Sequence, residues 1–178
     1  MPTDTPTNYF YFQHNGVVLR HLTINDLDDM FRIFGNPNVA KWMGDGVKLD
    51  RDACLKWIHK SQNNYQKFGY GAFAVVDSNN GKMIGCGGIV HPQGQTDCEI
   101  IYALKESHWG QGYGRAMVAA ILACATQQFG LTRIMATVDP DNSGSIHLLV
   151  SQGMRYVDTR PDEDGMPTAT YILETDSP

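Results

Sequence analysis

Cysteine is sparse in this chain of 178 residues: only Cys54, Cys86, Cys98 and Cys124 occur. None forms a CxxC pair or stands at zinc-ligand spacing from a histidine, so neither a metal site nor a disulfide framework is expected. Four buried or semi-buried free thiols in a reducing compartment are the expectation instead. Positive charge is also short, with 14 Lys and Arg against 19 Asp and Glu and a formal net charge of −5. A nucleic-acid binder needs a basic face, so nucleic acid is not an expected partner. The balance is mildly compatible with a cationic partner such as an amine. No apolar run approaches the roughly 20 residues that cross a bilayer. Met1 to Asn8 is polar and rich in Pro and Thr, without the basic-then-apolar order of a signal peptide. The cytoplasm is therefore the default location, and no membrane partner is expected. Repeats, low-complexity stretches and interior linkers are missing too. Residues 1–8 are expected to be a disordered tail and residues 9–178 a single domain, long enough to bury one sizeable core.

What is present is a change of period along the chain. Val17 to Leu22 predicts a short strand. A helix follows, capped by Thr23 or Asn25, with Leu27, Met30, Phe31 and Phe34 on one face, and Asn36-Pro37-Asn38 is expected to break it. A second helix is predicted from near Leu49-Asp50 to just before Gly69, with Leu55, Ile58, His59, Gln62 and Tyr65 at helical spacing. Gly71 to Val76 and Lys82 to Val90 then read as a hairpin around a turn at Asp77 to Gly81. Gly94-Gln95-Thr96 reads as another turn, and Cys98 to Leu104 as a third strand of this group. A long helix is predicted from Gly112 to Phe129 with Met117, Val118, Ile121, Leu122, Ala125 and Phe129 as its apolar stripe. Thr132 to Val138 predicts a buried strand, Ser145 to Gln152 a short helix, and Met154 to Thr159 with Ala169 to Glu174 the closing strands. The resulting order, β-α-α-β-β-β-α-β-α-β-β, implies an α/β domain with a mixed sheet and helices on its faces.

The segment that carries chemistry runs from Glu99 to Met117, EIIYALKESHWGQGYGRAM. A predicted strand enters a loop holding Gly110, Gly112 and Gly114, and the loop opens a helix. Glycines leave the backbone N–H groups open to an incoming group. At a helix N-terminus those N–H groups and the macrodipole favour an anion, and Arg115 adds a charge. The loop is thus a physical site for a phosphate or pyrophosphate. A Walker loop would need GxxxxGK followed by Ser or Thr, and the chain has no such string. A dinucleotide loop would need GxGxxG, but Arg115 or Met117 falls in the third glycine slot, depending on where counting starts.

The segment resembles the (Arg/Gln)xxGx(Gly/Ala) loop of GNAT acetyltransferases, matched here by Gly112-Tyr113-Gly114. Trp109 stands in the Arg/Gln slot, as in the WGxGY(Ala/Gly) form of the RimJ/RimL-like branch, whose members acetylate ribosomal-protein N-termini. A second stretch, VDPDNSGSIHLLVSQGMRYV from Val138 to Val157, resembles that branch's VxPxNxxSxxLLxxxGF, with Met154 in place of Phe. The openings LRHLTINDLDDM and NPNVAKWMG are similar as well, so the likeness runs from Val17 to Glu174. It implies a GNAT acyl-CoA N-acyltransferase fold, a central, mostly antiparallel sheet with splayed strands flanked by helices. It implies acetyl-CoA as co-substrate, an amine acceptor that is a protein N-terminus or a small molecule, and a monomer or homodimer.

The same resemblance assigns roles. Gln111, Gly112, Tyr113, Gly114 and Arg115 would hold the pyrophosphate, mostly through backbone N–H groups. Ile101, Tyr102, Ala103 and Leu104 would face the pantetheine arm, which adds itself to a splayed sheet edge. Attack on a thioester needs a neutral amine, and free amines have pKa values of about 8 at an N-terminus and about 10.4 on lysine. Glu99 is the candidate base, through a water. The tyrosine that many GNAT enzymes use to serve the departing thiolate is replaced by Leu149, so Ser145 is the candidate hydroxyl; a capping role is its alternative. Asn142 would bond either CoA or the helix start as an N-cap. Trp42, Met43 and Tyr70 would line an acceptor pocket or else sit in the core. A non-catalytic acyl-CoA sensor is the alternative to an enzyme.

Overall fold

Asn15 and Gly16 both adopt positive φ, 49° and 81°, as a tight primed hairpin turn demands. They join β1 (Tyr11–His14) to β2 (Val17–His21), and β1 is a strand that the sequence reading lacked. The computed structural model describes residues 10–92 and 97–175. The predicted tail at residues 1–8 and the predicted turn at Gly94-Gln95-Thr96 lie outside them.

After β2, Asp26 folds the chain back. Its carboxylate accepts from Thr23 N–H at 2.8 Å and from both terminal nitrogens of Arg20 at 2.8 and 2.7 Å. Burial alone would push its pKa up, but the hydrogen bonds from Arg20 and Thr23 outweigh burial and hold it below the ordinary carboxylate value. Helix α1 (Leu27–Phe34) buries Met30, Ile33 and Phe34, while Phe31, expected on the core face, is 38% exposed. The Asn36-Pro37-Asn38 break does end α1, but it also starts the single turn α2 (Pro37–Ala40). Asn36 caps that turn by accepting from Asn38 N–H at 2.9 Å, and Pro37 sits in its first turn. Helix α3 (Arg51–Phe68) is capped by Asp50, which accepts from Ala53 N–H at 2.7 Å, and is stopped by Gly69 at φ 82°. It buries Cys54, Ile58 and Ser61 and leaves the predicted His59 exposed.

Strands β3 (Ala72–Asp77), β4 (Met83–Val90) and β5 (Cys98–Leu104) follow, then α4 (Tyr113–Ala123). A π-helical segment, Cys124–Gln128, interrupts the predicted long helix before Gly130, where Thr126 Oγ1 donates back to Leu122 O at 2.9 Å. Strand β6 (Arg133–Val138), α5 (Ser143–Ser151) and the hairpin β7 (Arg155–Pro161) with β8 (Pro167–Glu174) complete the chain. The eight strands form one sheet in the order β1-β2-β3-β4-β5-β6-β8-β7, antiparallel except for the β5–β6 pair. Alternation along the strands splits the core between two faces. Leu19, Phe73, Ile89 and Ile100 pack with α4 and Leu149 of α5 on one face. Val18, Ala74, Cys86 and Ala103 pack with α1, α2 and α3 on the other. All four cysteines are buried thiols. No helix among the described residues is long and apolar enough to cross a membrane.

At the end of β2, His21 stacks on Tyr65 with ring centroids 3.8 Å apart and also faces Phe10 and Phe73. Its Nε2 is buried without a hydrogen-bond partner among the described residues, and burial lowers its pKa. Below the ordinary histidine value of about 6.5 the unfolded chain then binds more protons than the folded one, so stability falls as the pH drops through that value. His21→Phe should keep the stack and remove the unpaired nitrogen. Denaturant melts at pH 7 and pH 5 should show the variant losing less stability than wild type over this interval. Equal losses would show that His21 does not titrate with folding.

Candidate active site

Strands β5 and β6 pair only at Cys98↔Ile134 and Glu99↔Met135 among the described residues. Beyond Glu99 they part. β5 continues along β4 as far as Leu104↔Gly85, whereas β6 continues along β8 as far as Val138↔Ala169. A cavity of about 800 Å³ occupies the opening, within the usual range for a small-molecule site. Ile101, Tyr102, Ala103 and Leu104 line it from β5, and Thr137 and Val138 from β6.

The glycine loop forms one end. Gly110 and Gly112 have φ of 70° and 87°, a left-handed backbone open to glycine at little strain. Gly112 is the cap of α4, and the first bond of that helix runs from Ala116 N–H to Gly112 O at 3.1 Å. The N–H groups before Ala116 precede the intrahelical ladder and are left for another acceptor. Gly114 serves packing: a Cβ there would lie 3.1 Å from Leu148 Cδ1 of α5. Gly112, Gly114 and Arg115 border the cavity. The side chains of Gln111 and Tyr113 are committed elsewhere: Gln111 Nε2 donates to Ser107 O at 2.7 Å, and Tyr113 OH donates to Asp77 at 3.0 Å. Any part these two play at the cavity falls to their backbone.

Glu99 lies where the strands separate and borders the cavity. Its Oε1 accepts from Thr137 N–H at 3.2 Å and from the Thr137 hydroxyl, so the carboxylate bridges the first gap in the β5–β6 ladder. From the start of α5, Ser145 Oγ sits 2.6 Å from Tyr102 OH. Burial pushes the Tyr102 phenol up to about 12, with the Ser145 hydrogen bond acting in the opposite sense. The phenol therefore stays protonated at neutral pH, and the pair shares one internal hydrogen bond while retaining a second hydroxyl proton. Asn142 lines the cavity but spends its side-chain oxygen on Ser145 N–H at 3.1 Å, the N-cap alternative. Trp42 and Met43 border the cavity, whereas Tyr70 is a core residue that meets His91 at 2.6 Å and Cys98 at 3.3 Å. Thr137 and Asp141 also line the cavity and were not singled out from the sequence. An exposed threonine inside the apolar run of β6 was the available signal for the first; nothing local marks the second.

A sheet opened beside a helix-capping glycine loop is the arrangement that the resemblance to GNAT acetyltransferases implied. The model of the acetyltransferase (GNAT) domain matches residues 17–155, and the chain belongs to that family, whose activity is acetyl transfer. The Bacillus subtilis protein YkkB is 30% identical over 129 residues, 71% of this chain and 74% of its own length. Among solved structures, an acetyltransferase from Agrobacterium tumefaciens superposes with a TM-score of 0.80 at 21% identity, covering 98% of this chain and 100% of its own. RimL, a ribosomal alpha-N-protein acetyltransferase solved with coenzyme A, gives 0.79 at 15% identity, covering 95% of this chain and 100% of its own.

The two outer glycines of GYG have different structural duties. Nothing lies within 4 Å of a Cβ built on Gly112, so Gly112→Ala is strained by its φ alone. It should cost about 1–2 kcal/mol. Gly114→Ala meets closely only the tip of Leu148, with Leu104 Cδ2 at an ordinary 3.9 Å, and gains helix propensity, so it should cost less. Urea denaturation of both variants measures the difference, and equal costs would refute the assignment.

Proposed function

We propose that the chain transfers the acetyl group of acetyl-CoA directly to a primary amine, either a protein N-terminus or a small-molecule amine. The observation that carries this reading is the separation of β5 from β6 at Glu99, beside a loop whose N–H groups point to an anion site. The pyrophosphate of CoA fits the Gly112–Arg115 backbone and the Arg115 charge. The pantetheine arm fits the unpaired edge of β5 from Ile101 to Leu104, where main-chain hydrogen bonds can extend the sheet. The fold neighbour solved with coenzyme A supports a CoA ligand, and its action on a protein N-terminus supports that acceptor class.

In the proposed reaction the amine nitrogen attacks the thioester carbonyl carbon, and the C–S bond breaks as the amide forms. The ammonium proton passes to Glu99, directly or through a water, at Oε2, the oxygen that takes neither Thr137 contact. The departing sulfur receives a hydrogen bond from the Tyr102–Ser145 pair. Two hydroxyls 2.6 Å apart do this better than either alone, because donation from one to the other polarises the remaining O–H. Tyr113, with its hydroxyl on Asp77, is not part of this step. A thiol of ordinary pKa, about 8.5, leaves without a strong acid.

Saturating acetyl-CoA should raise thermal stability, since a ligand at a hundred times its Kd adds about 2.7 kcal/mol. No shift at millimolar acetyl-CoA or CoA would remove the basis of the proposal. Thiol release should be followed with a panel of peptides, polyamines, amino acids and aminoglycosides. Its rate should rise with pH across the neutral range as the attacking amine loses its proton, and finding only O-acetylated product would count against an amine acceptor.

Ser145→Ala and Tyr102→Phe should each lower kcat about ten- to a hundred-fold with little change in KM for acetyl-CoA. The double variant should lose less than the product of the two, as expected for groups that act as a unit. If Ser145→Ala lowers stability and leaves kcat per folded molecule intact, Ser145 serves only α5.

A further inference from the structure

The cavity wall on the α2 side has little structure of its own. Helix α2 is a single turn of four residues, too short to persist without tertiary support. The chain that follows it brings Trp42 and Met43 to the cavity through turns, with Trp42 N–H donating to Val39 O at 3.2 Å and Met43 N–H to Ala40 O at 2.9 Å. Val39 and Ala40 are buried beneath it. Its start is held by Glu106, a residue from a distant part of the chain.

Glu106 begins a single 3₁₀ turn, Glu106–His108, between β5 and the glycine loop. Its Oε2 accepts from Asn36 Nδ2 at 2.7 Å and its Oε1 from Asn38 Nδ2 at 2.6 Å. The Asn36 amide has no freedom to turn over, because its Oδ1 already accepts Asn38 N–H as the α2 cap. Two amide donors therefore converge on one side chain, and a carboxylate is the group that offers two acceptor oxygens and no donor. The same residue is built into the loop: Trp109 N–H donates to Glu106 O at 3.0 Å, and Trp109 Nε1 donates to Leu104 O at 2.9 Å. A displacement of the loop thus moves Glu106, and Glu106 moves Asn36 and Asn38. The neighbouring Lys105–Asp29 ion pair, 3.7 Å and partly exposed, adds a weaker tie to α1.

We infer that Glu106 is a positioning residue that couples the cofactor loop to the wall carrying Trp42 and Met43, so that a nucleotide on the loop sets the acceptor side of the cavity. The inference rests on the acetyl-CoA reading above. Linkage makes the coupling reciprocal: an acceptor that orders the wall tightens the nucleotide by the same factor.

The test uses the full chain labelled with 5-fluorotryptophan, whose three tryptophans, Trp42, Trp57 and Trp109, are assigned by single Phe substitutions and observed by fluorine NMR. The probe is adenosine 3′-phosphate 5′-diphosphate, the nucleotide end of CoA without the pantetheine arm that would touch Trp42 directly. In the wild type both Trp109 and Trp42 should shift, while Trp57 on α3 stays in place. In Glu106→Ala the Trp109 shift should persist and that of Trp42 should be lost. Glu106→Gln, which keeps one acceptor oxygen, should recover part of it, and Asn38→Ala, which leaves the α2 cap intact, should lose part of it. The inference is overturned if Trp42 responds equally in wild type and Glu106→Ala, or stays still in wild type while Trp109 shifts. A silent Trp109 in the wild type would instead defeat the acetyl-CoA reading, and the coupling with it.

Discussion

Strands β5 and β6 are neighbours for two residue pairs among the described residues and then belong to different partners. Every feature of the site depends on that parting. β4 holds β5 on one side and β8 holds β6 on the other, each by a full antiparallel ladder, so the gap is kept open by hydrogen bonds that lie outside it. The unpaired edge of β5 is a liability in most sheets, because exposed N–H and C=O groups recruit other strands. Here it borders a cavity that the glycine loop, the α2 region and the start of α5 also line.

The groups around the opening are each fixed from a different direction. Thr137 holds Glu99 across the first missing rung of the ladder. Tyr102, from β5, meets Ser145, from α5, a helix that also packs closely on α4 where Gly114 faces Leu148. Glu106 ties α2 to the loop. None of these contacts contributes much energy by itself, since a net hydrogen bond is worth about 1 kcal/mol. Their effect is geometric, and the two buried cores on either face of the sheet supply the rigidity that makes the geometry persist.

Much of this was legible in the sequence because it is local. The α3 boundaries follow from Asp50 as cap and Gly69 as stop, and β5 from a run of strand formers ending at Leu104. The glycine loop was legible because phosphate contact through backbone N–H requires glycines beside a helix start, and that requirement is written in consecutive residues. The β1 strand was missed although Asn15-Gly16 is a strong hairpin signal, since the aromatic run Tyr9-Phe10-Tyr11-Phe12 shows no apolar–polar alternation. The π-helical end of α4 was missed because no residue type there forbids an α-helix; within it Cys124 and Ala125 are buried and Thr126 donates back to Leu122 O.

The sequence by itself determined the element order apart from β1 and the α2 turn, together with the two motif segments and the phosphate-type loop, all of which rest on spacing over a few residues. Only the tertiary structure decided which side chains meet. Tyr113 and Tyr102 were both assigned to the cofactor from the sequence, but the fold turned the hydroxyl of one to Asp77 and that of the other to Ser145. Tyr70 went into the core while Trp42 and Met43 went to the cavity. Glu106 was not singled out from the sequence, and only the fold brought Asn36 and Asn38 to it. Contacts between residues tens of positions apart depend on how helices cross a sheet, and local periodicity carries no record of that.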